Sequence, residues 1–415
     1  MMFNQKTLFI PIKTLTLPLS LLITANASAL SLDEAVNAQL TTAGSQACAE
    51  LLNGFSAAEN AGRLTGGLEG ICATIIPAGT NPAANSAGGG AAAPISAPAA
   101  MQELADVSHG KEKSTSDNII NTSINANWNL FFTAEVETLD RDQTDFEHGY
   151  NSDRKRFLGG LTYTANPKSV YSLAIDYNEQ EGDFIDNDGE FERDSLGLRL
   201  LASYRPTQNT FFSVLAGYDD VSAEHERTTG FSFILNNTPI DTPVSGTPEA
   251  DYDYNQYGLS VLGGYDYQKG NYTITPSIGL NWSKSDYGTY SETGNSGLEL
   301  TFYDDEEKSL QSVIALTTSA SFSRSYGTIN PQFGIAWHHE FEDDQRSAEV
   351  SFTGDTFNER FEYQTEAPDR DFFNLSAGVV FALKSGIQTF INIQGLAGHE
   401  FYDNYIVSLG VRKEL

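Results

Sequence analysis

Two histidines that lie close to carboxylates in the sequence are the main candidates for hydrolytic chemistry. His338 lies two residues before Glu340, and His399 directly precedes Glu400. A histidine beside a carboxylate can act as a general base when a nucleophile lies within hydrogen-bonding reach. The histidines are scattered, however, and the sequence contains no nucleophile motif around them. We therefore expect no enzymatic activity, no catalytic residues and no cofactor.

Acidic side chains with calcium-like spacing form a second candidate for chemistry. Oxygen-rich loops can bind Ca²⁺, but this run lacks the final Glu of a full calcium loop. The acids are Asp183, Asp186, Asp188, Glu190 and Glu192. The two cysteines have no histidine nearby, which argues against a zinc site. We expect a solvated acidic loop and no metal site.

Alternating strands are the elements that would carry these residues. The clearest run has one apolar or aromatic face and one small or polar face. Its apolar face is Tyr272, Ile274, Pro276, Ile278, Leu280 and Trp282. This alternation is longer than a typical globular strand of about 5–6 residues, and it matches the roughly 9–11 residues that cross a bilayer. Similar runs recur from residue 123 to residue 415, which predicts an all-β protein with an antiparallel transmembrane β-barrel of about 12 strands.

The polar faces of these strands predict a lumen. The candidate pore-lining residues are Asn127, Glu135, Arg199, Asp219, Asp266, Asn281, Gln332 and Asn392. Polar side chains there could hold a plug or conduct solutes, and they also suit the interior of any barrel of this kind. Tight turns such as Lys384-Ser385-Gly386 alternate with longer connections. Because short turns belong on the periplasmic side, this alternation places the N-terminus and the C-terminus of the barrel domain on that side.

The N-terminal 122 residues differ in composition from the predicted barrel. Lys6, Lys13 and an apolar stretch precede Ala27-Ser28-Ala29, which predicts a signal peptide over residues 1–29 with cleavage between Ala29 and Leu30. Helical spacing predicts a small helical unit over residues 30–76, closed by a Cys48–Cys72 disulfide because export leads to an oxidising compartment. Residues 77–100 form a low-complexity linker, and residues 101–122 could form a helix that threads the pore.

The charge of the chain argues against one class of partner. The formal net charge is −31, and removal of Lys6 and Lys13 with the signal peptide makes it −33. Such a protein repels phosphate backbones, so we expect no nucleic-acid partner. The same charge keeps an exported chain soluble before it inserts into a membrane.

Several segments resemble the autotransporter β-domain family. The similarity lies in Asn330-Pro331-Gln332-Phe333-Gly334-Ile335-Ala336-Trp337-His338-His339-Glu340-Phe341, in Asp343-Asp344-Gln345-Arg346, in Ser351-Phe352-Thr353-Gly354 and in Val407-Ser408-Leu409-Gly410-Val411-Arg412. It covers approximately residues 115–415. The resemblance implies a 12-stranded barrel preceded by a pore helix. It also implies transport of an N-terminal passenger across the outer membrane of a Gram-negative bacterium with help from the barrel-assembly machinery.

Two features depart from the family pattern. The family ends in Phe or Trp, whereas this chain ends in Leu415, and its passengers are much longer than residues 30–115. We therefore expect a monomeric translocator with a very short or vestigial passenger, in contact with outer-membrane lipid and lipopolysaccharide. The alternatives are a passive channel or structural barrel, a barrel enzyme and a soluble β protein.

Overall fold

The part of the chain that the computed structural model describes folds into a closed antiparallel β-barrel. The described residues are Leu32, 128–185, 189–231, 234–235, 238–239, 244–355 and 359–414. Within them the barrel has twelve strands. They are β1 (Trp128–Arg141), β2 (Tyr150–Asn166), β3 (Ser169–Phe184), β4 (Glu190–Tyr204), β5 (Thr210–Glu226), β6 (Glu249–Tyr265), β7 (Tyr272–Tyr287), β8 (Asp305–Ala320), β9 (Gly327–Glu340), β10 (Asp371–Leu383), β11 (Ile387–Ala397) and β12 (Tyr402–Glu414).

Each strand pairs with its neighbours in sequence, and the first pairs with the last. The β1–β12 register runs from Asn129 opposite Glu414 to Arg141 opposite Tyr402. Closure removes the free edges that an open sheet would present, so the strand backbones are hydrogen-bonded on both sides. The prediction of a 12-stranded antiparallel barrel is confirmed.

Shorter strands extend the barrel at its two ends. Tyr267–Lys269 pairs with β7, and Phe322–Arg324 pairs with β9. At the opposite end, a four-stranded side sheet contains Tyr290–Ser291, Leu300–Phe302, Ser347–Phe352 and Phe361–Gln364. Two small ladders pair Thr229–Phe231 with Val244–Gly246, and Ile234–Leu235 with Thr238–Pro239. The described part of the chain contains no helix with the length and hydropathy of a transmembrane helix.

An apolar belt surrounds the outward face of the barrel. On β7, Tyr272, Ile278 and Leu280 are 63%, 63% and 51% exposed, in agreement with the predicted alternation. From Tyr272 to Trp282 the belt is about 25 Å high, at about 3.3 Å per residue and a strand tilt of about 40°. This is the height of the apolar band of an outer-membrane barrel.

Aromatic residues mark both borders of the belt. Trp128 and Tyr163 lie at one border, with ring centroids 4.7 Å apart. At the other border, Trp337 Nε1 donates a hydrogen bond to Asp371 Oδ1 at 3.0 Å. An aromatic ring with a polar atom directed towards charged groups suits a boundary between lipid and water.

The two ends of the barrel differ in their connections. At the end that contains Trp128 and Glu414, which we call the tight end, the turns are short, and Gly270 and Gly386 supply φ angles of 63° and 76°. These angles favour glycine because they lie in the left-handed region. The opposite end, called the loop end, has the longest connections, over residues 227–248, 288–304 and 341–370.

One sequence-based expectation about these connections was wrong. Residues 185–189 and 398–401 connect strands at the loop end, yet they are as short as turns of the tight end. At residues 185–189 the cause is the length of the hairpin: β3 and β4 continue beyond the apolar belt and pair up to Asp183 and Glu190. Asp183, Glu190 and Glu192 therefore lie on strands rather than in the predicted acidic loop.

Several predictions lie outside the described residues. They are the signal peptide with Ala29 and Leu30, the Cys48–Cys72 disulfide, the linker 77–100, the segment 101–122, Asn127 and Leu415. Leu32 is described by itself, is helical and is 1% exposed. The predicted start of the barrel at residue 123 also precedes the described part of β1, which begins at Trp128.

Candidate functional site

A row of charged side chains crosses the inward face of β1 to β5. We call this row the lumenal belt; its members alternate between carboxylates and guanidinium groups. They are Glu135, Glu137, Arg154, Arg156, Asp176, Arg199 and Asp219. Inward positions alternate with the outward apolar positions along each strand, which is why one face of the sheet can collect all of these charges.

Arg199 is the central cation of the lumenal belt. Its Nη2 lies 2.8 Å from Asp176 Oδ2 and 2.7 Å from Asp219 Oδ1, and its side chain is only 2% exposed. Gly197 leaves room for this pair, since a Cβ there would lie 2.0 Å from Asp219 Oδ1. In a low-dielectric interior such ions stabilise one another, so removal of one of them leaves the others as buried charges without a counter-ion.

The lumenal belt also joins the first and last strands. Arg156 Nε donates to Asp176 Oδ1 at 2.9 Å, and its Nη1 lies 3.7 Å from Glu135 Oε1. Ser408 on β12 donates from its Oγ to Glu135 Oε2 at 3.1 Å. Side chains therefore link β12, β1, β2 and β3 across the closure of the barrel.

The predicted pore-lining residues are distributed over several parts of the interior. Glu135, Arg199 and Asp219 come together in the lumenal belt. Asp266 lies at the tight end, where it accepts hydrogen bonds from Arg205 Nη1 at 2.8 Å and from Thr275 Oγ1 at 2.7 Å.

The remaining three pore-lining candidates lie on other strands. Asn392 is on β11 and 7% exposed, while Asn281 on β7 and Gln332 on β9 are half-buried at inward positions. These three stand apart from the lumenal belt, which occupies β1 to β5. The interior is therefore polar on many strands, but its ion pairs are concentrated on one side.

Sequence reasoning missed several members of the lumenal belt. Arg156 precedes the outward Phe157, and Asp176 lies between the outward Ile175 and Tyr177. Alternation alone would have placed both side chains inside. Their mutual contact, however, depends on the pairing of β2 with β3, which a single sequence does not specify.

An inward apolar cluster accompanies the lumenal belt. Its residues come from β1 to β5, β10 and β11 and are at most 6% exposed: Phe131, Leu158, Ala174, Leu201, Leu215, Val380 and Phe390. Gly410 accommodates one of these rings, because a Cβ at that position would lie 2.0 Å from Phe390 Cε1. This part of the interior is thus packed and apolar, in contrast to the polar lumen that the sequence predicts.

A buried ion pair connects two long connections at the loop end. Arg227 Nε and Nη2 donate to the two carboxylate oxygens of Glu292 at 2.6 and 2.7 Å, and His225 Nε2 lies 3.4 Å from Oε1. We call these three residues the loop-end clasp. Burial alone would raise the pKa of Glu292, but the adjacent Arg227 and the hydrogen bonds lower it to about 2. The carboxylate is therefore charged at neutral pH and holds the two connections together.

Carboxylates form rows on the outward face of β3 to β6, above the apolar belt. Residues directly opposite each other across the strands are both acidic, as at Glu181 and Glu192 or at Glu224 and Asp251. We call this surface the acidic face. Its residues are Glu179, Glu181, Asp183, Glu190, Glu192, Asp194, Asp220, Glu224, Glu226, Glu249, Asp251 and Asp253. Like charges at such positions repel one another and destabilise the pairing of strands.

The candidate hydrolytic residues have separate partners. His338 stacks on Phe372 with ring centroids 4.9 Å apart, and its Nδ1 lies 3.3 Å from Gln311 Oε1. Glu340 instead accepts hydrogen bonds from Ser309 Oγ at 2.6 Å and from the Leu310 amide at 2.8 Å. His399 lies 3.7 Å from Asp369. The proximity of His338 and Glu340 in sequence does not produce a paired histidine and carboxylate.

A sequence comparison identifies a family that agrees with the closed barrel, its apolar belt and its two different ends. The profile of the family described as autotransporter beta-domain matches residues 130–394. The chain belongs to this family. Membership implies a location in the outer membrane of a Gram-negative bacterium. Among curated proteins, no sequence matches the chain.

One solved structure shows the same fold at low sequence identity, and two others are similar to the chain over most of its length. The translocator domain of the autotransporter NalP from Neisseria meningitidis has 13% identity and a TM-score of 0.54, covering 76% of this chain and 96% of that one. The β-domain of the Bordetella autotransporter BrkA has 12% identity and a TM-score of 0.49, covering 69% and 99%. The transport unit of AIDA-I from Escherichia coli has 12% identity and a TM-score of 0.45, covering 74% and 97%.

Proposed function

We propose that this autotransporter barrel carries its own N-terminal region across the outer membrane to the cell surface. The cargo is the short region that begins at Leu30 and contains the predicted unit closed by Cys48 and Cys72. Insertion requires the barrel-assembly machinery, and the apolar belt contacts outer-membrane lipid and lipopolysaccharide. The barrel acts as a monomer and has no enzymatic activity of its own.

The observation that carries the proposal is the placement of both barrel termini at the tight end. Trp128 and Glu414 lie there together, next to the short turns that belong in the periplasm. The N-terminal region therefore enters from the periplasmic side. It reaches the surface by passing through the closed barrel, since the outward face is apolar and suited to lipid.

The burial of the central charges of the lumenal belt supports a translocator more than a passive channel. Asp176 is fully buried, and Arg199 and Asp219 are each 2% exposed. A wide aqueous channel would leave charged wall residues accessible to water. A passive channel remains the second candidate because the predicted pore-lining residues are polar. The translocator predicts little ion conductance in planar bilayers, whereas a channel predicts a steady open state.

An epitope tag placed directly after Leu30 tests the proposal. Intact cells are labelled with antibody, and the labelling is repeated after permeabilisation. Labelling of intact cells is expected. A tag that becomes accessible only after permeabilisation would refute the translocator and favour a channel or structural barrel.

Two further tags make the labelling interpretable. One is inserted after Lys384 in a tight-end turn and should be labelled only in permeabilised cells. The other is inserted after Gly288 at the loop end, where a Cβ would meet nothing within 4 Å, and should be labelled in intact cells. These controls establish the orientation of the barrel in the same experiment.

A further inference from the structure

The lysines of the barrel fall into two groups according to the end at which they lie. Three lysines on the loop side of the apolar belt each pair with a glutamate, at 3.4, 2.8 and 2.6 Å: Lys155, Lys284 and Lys308. Four lysines at the tight end, which we call the tight-end lysines, are all exposed: Lys168, Lys269, Lys384 and Lys413. None of these four forms an ion pair with a side chain that the structure describes. In a chain with a net charge of −31, exposed cations without counter-ions are unexpected.

The turns at the tight end offer these lysines no exposed carboxylate. The turns are residues 167–168, 205–209, 266–271, 321–326 and 384–386. They contain one acid, Asp266, which is 2% exposed and accepts a hydrogen bond from Arg205. Besides the lysines, the exposed cation there is Arg324, whose guanidinium lies over the Phe322 ring. The tight end is therefore positively charged, although the chain as a whole is acidic.

The tight-end lysines lie at the border of the apolar belt. Lys269 is directly opposite Tyr272 on β7, and Lys413 is directly opposite Leu130 on β1. Residues opposite each other share a face of the sheet, and Tyr272 and Leu130 are 63% and 50% exposed on the outward face. Both lysines therefore lie on the surface that faces lipid rather than the lumen. The other two lysines lie within turns of the tight end.

A lysine at this border is suited to an anionic headgroup. Its aliphatic stem can pack against acyl chains while its ammonium group reaches the level of the lipid phosphates. Each basic side chain near an anionic lipid surface strengthens binding about five-fold. The acidic face presents the opposite charge above the belt, so the two borders of the belt differ in their attraction for anionic lipid.

We propose that the tight-end lysines bind the phosphates of anionic phospholipids such as phosphatidylglycerol. Their surface is continuous with the apolar belt, so a phospholipid whose acyl chains lie on the belt places its headgroup beside them. The assignment of this lipid to the periplasmic leaflet rests on the orientation given in the proposed function. The preference for an anionic headgroup at the tight end is independent of that orientation and of export.

Tryptophan quenching by brominated lipids tests the inference at one border at a time. The chain has three tryptophans, and Trp282→Phe with Trp337→Phe leaves Trp128 as a reporter at the tight end, near Lys413. The purified protein is reconstituted into vesicles of brominated phosphatidylglycerol with unlabelled phosphatidylcholine, or the reverse. The two quenching curves give the preference for phosphatidylglycerol at Trp128, which should be about five-fold or more.

Replacement of all four tight-end lysines by glutamine should abolish this preference. Lys413→Arg should retain it, because the positive charge remains, and Lys308→Gln at the loop side should leave it unchanged. Heat-modifiability on gels verifies that each variant still forms the barrel. Absence of the preference in the parent protein, or its persistence in the fourfold glutamine variant, would overturn the proposal.

A second reporter distinguishes the tight-end lysines from a general preference of the barrel for anionic lipid. Trp128→Phe with Trp282→Phe leaves Trp337 at the loop-end border, where its Nε1 donates to Asp371. Phosphatidylglycerol should quench this reporter no better than phosphatidylcholine, and an equal preference at both borders would refute the proposal. Both leaflets of the vesicles contain the same lipids, so the result does not depend on orientation. The tag after Leu30 tests the proposed function separately.

Discussion

The loop-end clasp should be broken by Glu292→Gln, which keeps the shape of the side chain and removes its charge. Arg227 is 1% exposed, and its guanidinium would then be buried without its counter-ion. The Leu300 amide donates to Glu292 Oε2 at 2.7 Å, and the Glu292 amide donates to the Leu300 carbonyl at 2.8 Å. The substitution should therefore loosen the side sheet locally, while the barrel below it stays closed.

The size of the effect follows from the pKa of Glu292. Its value falls from 4.5 to about 2 on folding, which corresponds to about 3 kcal/mol of stabilisation at neutral pH. Such a loss would speed amide exchange at Leu300 about 100-fold. Because the folded pKa is depressed, the stabilisation is complete above pH 4.5 and disappears as the pH falls towards 2.

Hydrogen exchange on the whole protein in detergent measures the protection of the Leu300 amide directly. The rates are normalised to the intrinsic exchange rate at each pH. Wild-type protein should lose protection at Leu300 between pH 4.5 and pH 2 and approach Glu292→Gln. Glu349→Gln is the matched control, since Glu349 pairs with Arg360 at 2.9 Å and both side chains are about half exposed. Equal protection of wild type and Glu292→Gln at neutral pH would refute the reasoning.

Three further predictions concern the barrel wall. Arg199→Gln should destabilise the barrel by about 3 kcal/mol because two buried carboxylates lose their shared cation. Heat-modifiability on gels should therefore show a lower transition temperature for this variant than for Arg324→Gln. Gly410→Ala should cost about 1–3 kcal/mol in the same assay because its Cβ would force the Phe390 ring to move, whereas Gly288→Ala should leave the transition temperature unchanged. The acidic face predicts that added NaCl raises this temperature by screening carboxylates that lie opposite each other; no change, or a fall, would show that their repulsion is unimportant.

The sequence predicts the strands and their faces well because that information is local. Residues such as Tyr272 and Trp282 face outward wherever the neighbouring strands lie, since alternation depends on each strand alone. The same reasoning places Arg199 and Asp219 inside.

Partnerships between strands could not be predicted in the same way. The contact of Arg199 with Asp176 depends on the register of β3 with β4, and the clasp joins Arg227 to Glu292 across 65 residues of sequence. The packing of Phe390 against Gly410 likewise depends on the pairing of β11 with β12. A single sequence contains no record of these registers, so side-chain contacts between strands appear only in the structure.

Release of the N-terminal region from intact cells tests the central claim most directly. A site for a specific protease is inserted within residues 77–100, in a chain that carries the tag after Leu30, and the protease is added outside the cells. The account predicts that a tagged fragment appears in the medium without permeabilisation, while a protease site inserted after Lys384 stays uncut. Release that requires permeabilisation would contradict the account, because the N-terminal region would then remain in the periplasm.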